Sequence, residues 1–124
     1  MKKYLSIALL FLFNLVSAQN NYNLSLLGTF EWSSTEGSDI WGWADPTDGS
    51  EYALVGLNDG FSVVNVTNPT NPTEMFYISD LNSTWRDIKT WEHYAYVTTE
   101  ADAGLLIVDL SDMSGNTYWH VPNF

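Results

Sequence analysis

A repeat with a period of about 44 residues constrains the fold of this chain more than any other feature of its sequence. Three segments recur in the same order: Asp-Ile-x-x-Trp at 39–43 and 87–91, Tyr-Ala-x-Val at 52–55 and 94–97, and an apolar run at 60–67 and 104–111. The shifts are 48, 42 and 44 positions, so the segments are kept while the connections between them change length. A period of this length made of short apolar segments is typical of β-propeller blades rather than of helical repeats.

Each copy predicts four strands, because short runs rich in β-branched and aromatic residues alternate with turn signals. The predicted strands lie at 39–43, 52–57, 61–66 and 74–78 in the first copy and at 86–91, 94–99, 105–110 and 117–121 in the second. Residues 27–30 repeat the position of the fourth strand, since Phe30 and Ile78 each lie nine residues before the Asp of the next motif. No sustained helical period follows residue 18, so we expect an all-β fold with almost no helix.

The first 18 residues predict a secretory signal peptide. Lys2 and Lys3 precede an apolar stretch at 5–16, and small residues at 16–18 form a cleavage site. This stretch is shorter than the roughly 20 residues that a transmembrane helix needs. We therefore expect an exported protein, extracellular or on the cell surface, with no transmembrane segment in the mature chain. In this division, residues 19–25 are a short lead-in and residues 26–124 form a partial propeller.

The acidic composition narrows the choice of partners. Loss of Lys2 and Lys3 with the signal peptide moves the formal charge from −11 to −13. Such a chain repels phosphate backbones and anionic lipid, which argues against nucleic acid and membrane surfaces as partners. The chain has no cysteine, so we expect its stability to come from packing without disulfides.

The length of the chain predicts an incomplete propeller. The mature chain holds about two and a half blades of this repeat, whereas propellers close with roughly four to eight. Two blades leave an open strand edge on each side, which favours aggregation. We therefore expect the N-terminal piece of a longer protein, whose remaining blades are its partner. The alternative is a chain that pairs with copies of itself.

The motifs of both copies resemble those of a known family. Ser-Thr-Trp-Arg-Asp-Ile-Lys stands at 83–89, followed by His-Tyr-Ala-Tyr-Val at 93–97 and Gly-Leu-Leu-Ile-Val-Asp-Leu at 104–110. These segments, with 39–43 and 51–57, resemble the choice-of-anchor B family of bacterial surface proteins, which carries LVIVD-type propeller repeats. The resemblance covers residues 26–113. It implies export and a surface location, and it implies no general enzymatic activity; the histidine motifs of that family's later blades have no counterpart in this chain.

The most distinctive polar feature is Arg86 with Asp87, in the strand expected to be innermost in its blade. Asp39 holds the matching place in the first copy, and Glu100 follows the second strand, where a loop could overhang the same channel mouth. One interpretation is a ligand site in the channel, with Arg86 holding an anionic group or pairing with carboxylates around a cation. The other is structural: the aspartates bind neighbouring backbone amides, and Arg86 bridges two blades.

The other candidate chemistry is sparse. Asp45, Asp48 and Glu51 surround a glycine turn and are weak candidates for Ca²⁺, which takes oxygen ligands. Their spacing departs from that of an EF-hand loop, so an acidic surface hairpin is the preferred interpretation. We predict no other cofactor. His93 and His120 are the histidines available as near-neutral bases, and neither lies in a recognisable nucleophile or metal motif.

The aromatic residues divide into repeated and unrepeated positions. Trp43 recurs as Trp91 and Tyr52 as Tyr94, so we expect these four to fill equivalent places between blades. An aromatic side chain that stacks on a sugar is expected instead to be exposed and present in one copy alone.

The favoured function is a non-catalytic scaffold outside the cell that binds a protein or a glycan. The alternative is a secreted propeller enzyme, such as a hydrolase, whose active site is completed by downstream blades. A third interpretation is a purely structural surface protein without a specific ligand.

Overall fold

The computed structural model describes residues 23–122, and the predicted signal peptide and residues 19–22 of the lead-in lie outside this range. The regular secondary structure of the described residues is entirely β, which confirms the all-β prediction. Its eight strands are β1 (Gly37–Ala44), β2 (Glu51–Leu57), β3 (Gly60–Asn65), β4 (Thr73–Ser79), β5 (Arg86–Trp91), β6 (Tyr94–Thr99), β7 (Leu105–Asp109) and β8 (Tyr118–Val121). Within this range, no helix has the length and apolar character needed to cross a membrane.

The strands form two four-stranded antiparallel sheets, and neighbours in each sheet are neighbours in sequence. The first sheet contains β1 to β4 and the second contains β5 to β8. The two copies also share their register, since Trp43 pairs with Tyr52 in the first sheet and Trp91 with Tyr94 in the second. A four-stranded meander repeated in this way is the architecture of propeller blades. The repeat in the sequence is thus a repeat of sheets.

One predicted strand is wrong. Residues 27–30 form no strand, although their sequence position matches that of β4. They instead run across the first sheet, where Gly28 lies against the backbone oxygen of Pro69 so closely that a Cβ would not fit. A strand requires a neighbouring strand to complete its ladder, and none of the described residues offers one at this place. Residues 27–30 therefore match the fourth strand in sequence position but lack the hydrogen bonds of a strand.

The core lies between the two sheets. Alternate residues of a strand point to opposite faces of its sheet. We call the face of the first sheet that turns towards the second its front face; its buried residues include Trp43, Tyr52, Leu54, Val63 and Phe76. The face of the second sheet that packs on it is the back face of that sheet; its buried residues include Ile88, Ala95, Val97, Leu106 and Val108. The remaining faces are the back face of the first sheet and the front face of the second.

Candidate functional site

Arg86 begins β5 and is buried between the two sheets, with 4% of the residue exposed. Its Nε donates to the carbonyl of Leu57 at 2.6 Å, and its Nη1 donates to Asp80 Oδ2 at 2.8 Å. The Nη2 group donates to the carbonyl of Leu81. Gly56 makes room for this side chain, because an added Cβ there would lie 3.0 Å from the Cβ of Arg86. The guanidinium thus joins the end of β2 to the connection between β4 and β5.

Arg86 is buried, whereas the other residues predicted to share its site, Asp39, Asp87 and Glu100, are partly or fully exposed. The side chain of Asp80, its counter-ion, is also buried, and His120 of β8 lies 3.4 Å from the second oxygen of that carboxylate. Sequence reasoning missed Asp80, which has no acidic counterpart in the first copy because Trp32 stands 48 positions before it. An Asp six residues before the Arg-Asp pair is a weak signal by itself. The channel-site role of Arg86 stays a prediction that the arrangement does not test.

Asp39 connects the first strands of the two sheets. Its Oδ2 accepts a hydrogen bond of 2.9 Å from the backbone N–H of Ile88 in β5. One residue pair further along, the indole Nε1 of Trp41 donates to Thr90 Oγ1 at 3.0 Å. Because β1 and β5 are the first edge strands of their sheets, these contacts hold the two edges side by side.

Asp87 lies on the solvent side of the same pair of edges. Its Oδ1 accepts a hydrogen bond of 2.8 Å from Lys89 Nζ, and both side chains are more than half exposed. The Lys89 ammonium, through this hydrogen bond, lowers the pKa of the Asp87 carboxyl below its ordinary value. Lys89 Nζ also lies 4.4 Å from the centre of the Trp41 ring, a cation–π contact. The accessible charges along these edges are therefore paired within one strand.

Glu100 follows the last residue of β6 and is exposed. Thr99, the residue before it, pairs with Arg86, which places Glu100 beside the start of β5. Among residues 23–122, no ion pair or hydrogen bond joins Glu100 to Arg86, Asp87 or Asp39. The four predicted ligand-binding residues thus share one region, but they do not converge on one point.

The acidic turn between β1 and β2 uses its carboxylates locally. Asp45 accepts hydrogen bonds from the backbone N–H and the hydroxyl of Thr47, at 2.7 and 2.6 Å, and these bonds lower the pKa of Asp45. Asp48 accepts from the backbone N–H of Ser50 at 2.8 Å, while Glu51 is exposed at the start of β2. No group of three or more His, Cys, Asp or Glu side chains in the described part of the chain could hold a metal ion. The predicted Ca²⁺ ligands are therefore not gathered into a site.

A similar turn after β7 is held by the carboxylate of Asp112. Asp112 accepts from the hydroxyls of Ser114 and Thr117, the latter at 2.6 Å, and from the backbone N–H of Ser114. These hydrogen bonds, chiefly the one from the Ser114 hydroxyl, lower the pKa of Asp112 to about 2. Sequence reasoning did not single out Asp112, because Asp and Ser are ordinary turn residues. Its role is to fix the loop between β7 and β8.

A polar cleft opens where the two sheets meet, at the end marked by the turn between β2 and β3. Its volume is about 610 Å³. Its walls come from three segments: the residues before β1, that turn, and the connection between β4 and β5. The lining residues are Ser34, Thr35, Glu36, Asn58, Asp59, Asn82, Ser83 and Thr84. All eight side chains are polar, so the cleft offers hydroxyls, amides and carboxylates together.

Trp85 follows the last lining residue of this cleft and is 63% exposed. Ser83 fixes the local backbone, because its hydroxyl donates to the Trp85 carbonyl at 2.8 Å. Trp85 has no aromatic counterpart in the first copy, where Gly37 stands 48 positions earlier. It is thus both exposed and unrepeated, which are the two properties expected of an aromatic residue that stacks on a ligand.

The repeated aromatics behave differently from one another. Trp43 is buried against the second sheet, where its Nε1 donates to the carbonyl of Glu92 at 2.9 Å, and it packs beside Tyr52. Trp91 is exposed, because no sheet of the described residues covers the front face of the second sheet. The prediction of a place between blades is confirmed for Trp43 and Tyr52, which are buried between the two sheets, and it stays a prediction for Trp91 and Tyr94, which lie on the uncovered face of the second sheet.

The comparisons with known proteins agree with this arrangement of sheets. The family model described as LVIVD repeat matches residues 50–80 and 84–117, which together make up more than half of the chain. The first match spans β2 to β4, and the second spans β5 to β7. No curated protein and no solved structure gave a significant match. With one match on each sheet, the chain belongs to the LVIVD repeat family.

Proposed function

We propose that residues 26–124 are the opening blades of an exported bacterial surface propeller of the choice-of-anchor B type, and that this propeller is a non-catalytic scaffold that binds a neutral glycan. Export is supported by the charged, apolar and small-residue pattern of residues 1–18. The family type is supported by the Trp-Arg-Asp-Ile-Lys motif at 85–89. The glycan is supported by the polar cleft beside Trp85, and this observation carries the proposal.

The lining of the cleft suits the chemistry of a sugar. Each sugar hydroxyl both donates and accepts hydrogen bonds, so it pairs with hydroxyls, amides and carboxylates alike. The cleft presents all three kinds of group, including the amides of Asn58 and Asn82. Its charged lining residues are Glu36 and Asp59, and no cation stands among them. The cleft should therefore repel acidic sugars, which restricts the proposal to neutral glycans.

Trp85 supplies the apolar half of the recognition. A sugar ring has one face of C–H groups, and an exposed indole provides a flat apolar surface of matching size. Trp85 follows Thr84, a lining residue of the cleft, so we expect a glycan to stack on the indole while its hydroxyls reach the polar lining. Because only the second copy has this tryptophan, we expect one such site in these two blades.

The test is binding of the chain to an array of neutral and acidic glycans, followed by calorimetry on the neutral glycan that binds. Trp85→Ala should weaken binding about tenfold or more, an effect comparable to the loss of an aromatic that stacks on a nucleobase. Trp91→Ala is the matched control, since Trp91 is also exposed but lies at the other end of β5. Equal loss in both variants, or preferred binding of acidic glycans, would contradict the proposal.

A further inference from the structure

A second cavity adjoins the polar cleft, between the segment before β1 and the first sheet. Its volume is about 410 Å³, and we call it the adjoining cavity. Three of its lining residues, Ser34, Thr35 and Asp59, also line the polar cleft, so the two spaces share a border. Its other lining residues are Phe30, Glu31, Trp32, Ser33, Glu74 and Tyr77. Since ligand pockets usually have volumes of about 300–1,000 Å³, each space is large enough to hold a ligand group of its own.

Trp32 is a second accessible tryptophan, and it lines the adjoining cavity. It is partly exposed, and it has no aromatic counterpart in the second copy, because Asp80 stands 48 positions later. Trp32 therefore resembles Trp85, which is also accessible and unrepeated, and it differs from Trp43, which recurs in the repeat and is buried. These are the properties that we expect of an aromatic residue that stacks on a ligand.

The ring of Trp32 is held in place by polar and aromatic contacts. Its Nε1 donates to Glu74 Oε1 at 2.9 Å, and the same oxygen accepts a hydrogen bond of 2.6 Å from the hydroxyl of Ser62. Ser62 is fully buried in β3, so this acceptor is anchored to the first sheet. The ring of Phe30 packs against Trp32, with the ring centres 5.0 Å apart and the planes at 68°. A ring that is fixed before binding loses little conformational freedom when a sugar stacks on it, which favours affinity.

The adjoining cavity also offers the polar groups that pair with a neutral sugar. The hydroxyl of Tyr77 donates to the carbonyl of Asp59 at 2.7 Å, and its oxygen can still accept a hydrogen bond. At the border, Thr35 Oγ1 and Asp59 Oδ1 are buried without a hydrogen-bond partner among the described residues. Such atoms cost free energy, which a sugar hydroxyl would offset by donating to Asp59 and accepting from Thr35. The charged lining residues are Glu31, Asp59 and Glu74, so this cavity should repel acidic sugars as the polar cleft does.

We propose that the polar cleft and the adjoining cavity are two parts of one glycan site, which binds a neutral oligosaccharide with one sugar ring on Trp85 and another on Trp32. Trp85 stands beside the polar cleft and Trp32 lines the adjoining cavity, so each indole is available to a different ring. The sugar chain between these rings crosses the border at Thr35 and Asp59. This inference rests on the proposed glycan site. It adds that the glycan is a chain of at least two sugars, and that Trp32 sets the preference for length.

The test is isothermal titration calorimetry with neutral oligosaccharides of one to six residues, built from β-1,4-linked glucose, β-1,4-linked mannose or α-1,4-linked glucose. In the series that binds, the affinity of the wild-type chain should rise about tenfold or more from the monosaccharide to the hexasaccharide, an effect comparable to the stacking of one further nucleobase. Trp32→Ala should abolish this rise, whereas Trp32→Phe, which keeps an aromatic ring, should retain part of it. Trp91→Ala is the control, an exposed tryptophan that lines neither space, and it should leave the rise unchanged.

The outcomes separate this inference from the function on which it rests. Equal affinities for one and six sugar residues, or a rise that Trp32→Ala leaves unchanged, would overturn the inference, while the glycan site beside Trp85 would stand. Binding of none of the three series would also overturn the inference, whereas the glycan array decides on the site as a whole. If circular dichroism shows that Trp32→Ala does not fold, Glu74→Ala takes its place: it keeps the indole but removes its acceptor, and it should reduce the rise.

Discussion

The buried ion pair between Arg86 and Asp80 gives the most direct prediction from this structure. The side chains of both residues are at most 5% exposed, and the guanidinium also donates to two carbonyls. Asp80→Asn keeps the shape of the acceptor but removes its charge, which leaves the arginine buried without a counter-ion. Breaking a buried pair in this way costs about 3–5 kcal/mol. For a domain of roughly 100 residues, we expect the Tm to fall by on the order of 12 °C or more.

The assay is equilibrium unfolding in urea, followed by circular dichroism and by tryptophan fluorescence so that two-state behaviour is checked with two probes. Asp87→Asn is the matched control, because Asp87 also forms an ion pair with a cation but lies in solvent. It should leave the midpoint unchanged.

A double-mutant cycle attributes the effect to the pair. The double variant with Arg86→Met and Asp80→Asn contains neither charge. Its loss in free energy of unfolding should therefore be smaller than the sum of the losses in the two single variants, by on the order of 1–3 kcal/mol. If Asp80→Asn were as stable as the wild-type chain, or if the two effects were additive, the ion pair would not be what joins the sheets here.

Three further predictions concern single residues. The pKa of Asp112 is lowered to about 2 by its hydrogen bonds. These bonds therefore stabilise the fold fully above about pH 4, the ordinary pKa of Asp, and their contribution is lost as the pH falls towards 2. A carbon-detected NMR titration of the Asp112 carboxyl with a midpoint near 4 would contradict this. Gly115→Ala should destabilise the fold by at least about 1 kcal/mol, because φ is +70° there and an added Cβ would meet the ring of Phe76 in β4. Gly42→Ala is the control, since a Cβ there meets nothing within 4 Å and should not destabilise the fold. Thermal melts compare the two variants. Asp39→Ala should cost about 1.5 kcal/mol by loss of the acceptor for the Ile88 N–H, and faster amide exchange at Ile88 would report that loss; unchanged exchange would refute it.

Sequence reasoning located the strands because their signals are local. Alternating β-branched and aromatic runs, bounded by turns and repeated in order, gave all eight strands to within two residues. The segment at 27–30 has the same local signal but forms no strand, because a ladder needs a partner from elsewhere in space. Trp43 and Trp91 likewise cannot be told apart by sequence, although one is buried and the other exposed.

The site was harder to predict for a related reason. Arg86 and Asp87 were identified from their motif, but adjacent residues of a strand point to opposite faces, so one is buried in an ion pair and the other lies in solvent. The partner of Arg86, Asp80, and the cleft beside Trp85 arise where separate connections meet, and no repeat or spacing encodes such a meeting.

The sequence by itself determined the repeat, the all-β class and the unit of one four-stranded sheet per copy, since these follow from periodicity and local backbone preference. Only the tertiary structure decided which faces are covered, which carboxylates are paired and where polar side chains converge. The physical reason is that burial and electrostatic pairing depend on how one sheet packs on another, and that packing joins residues about 48 positions apart in the chain.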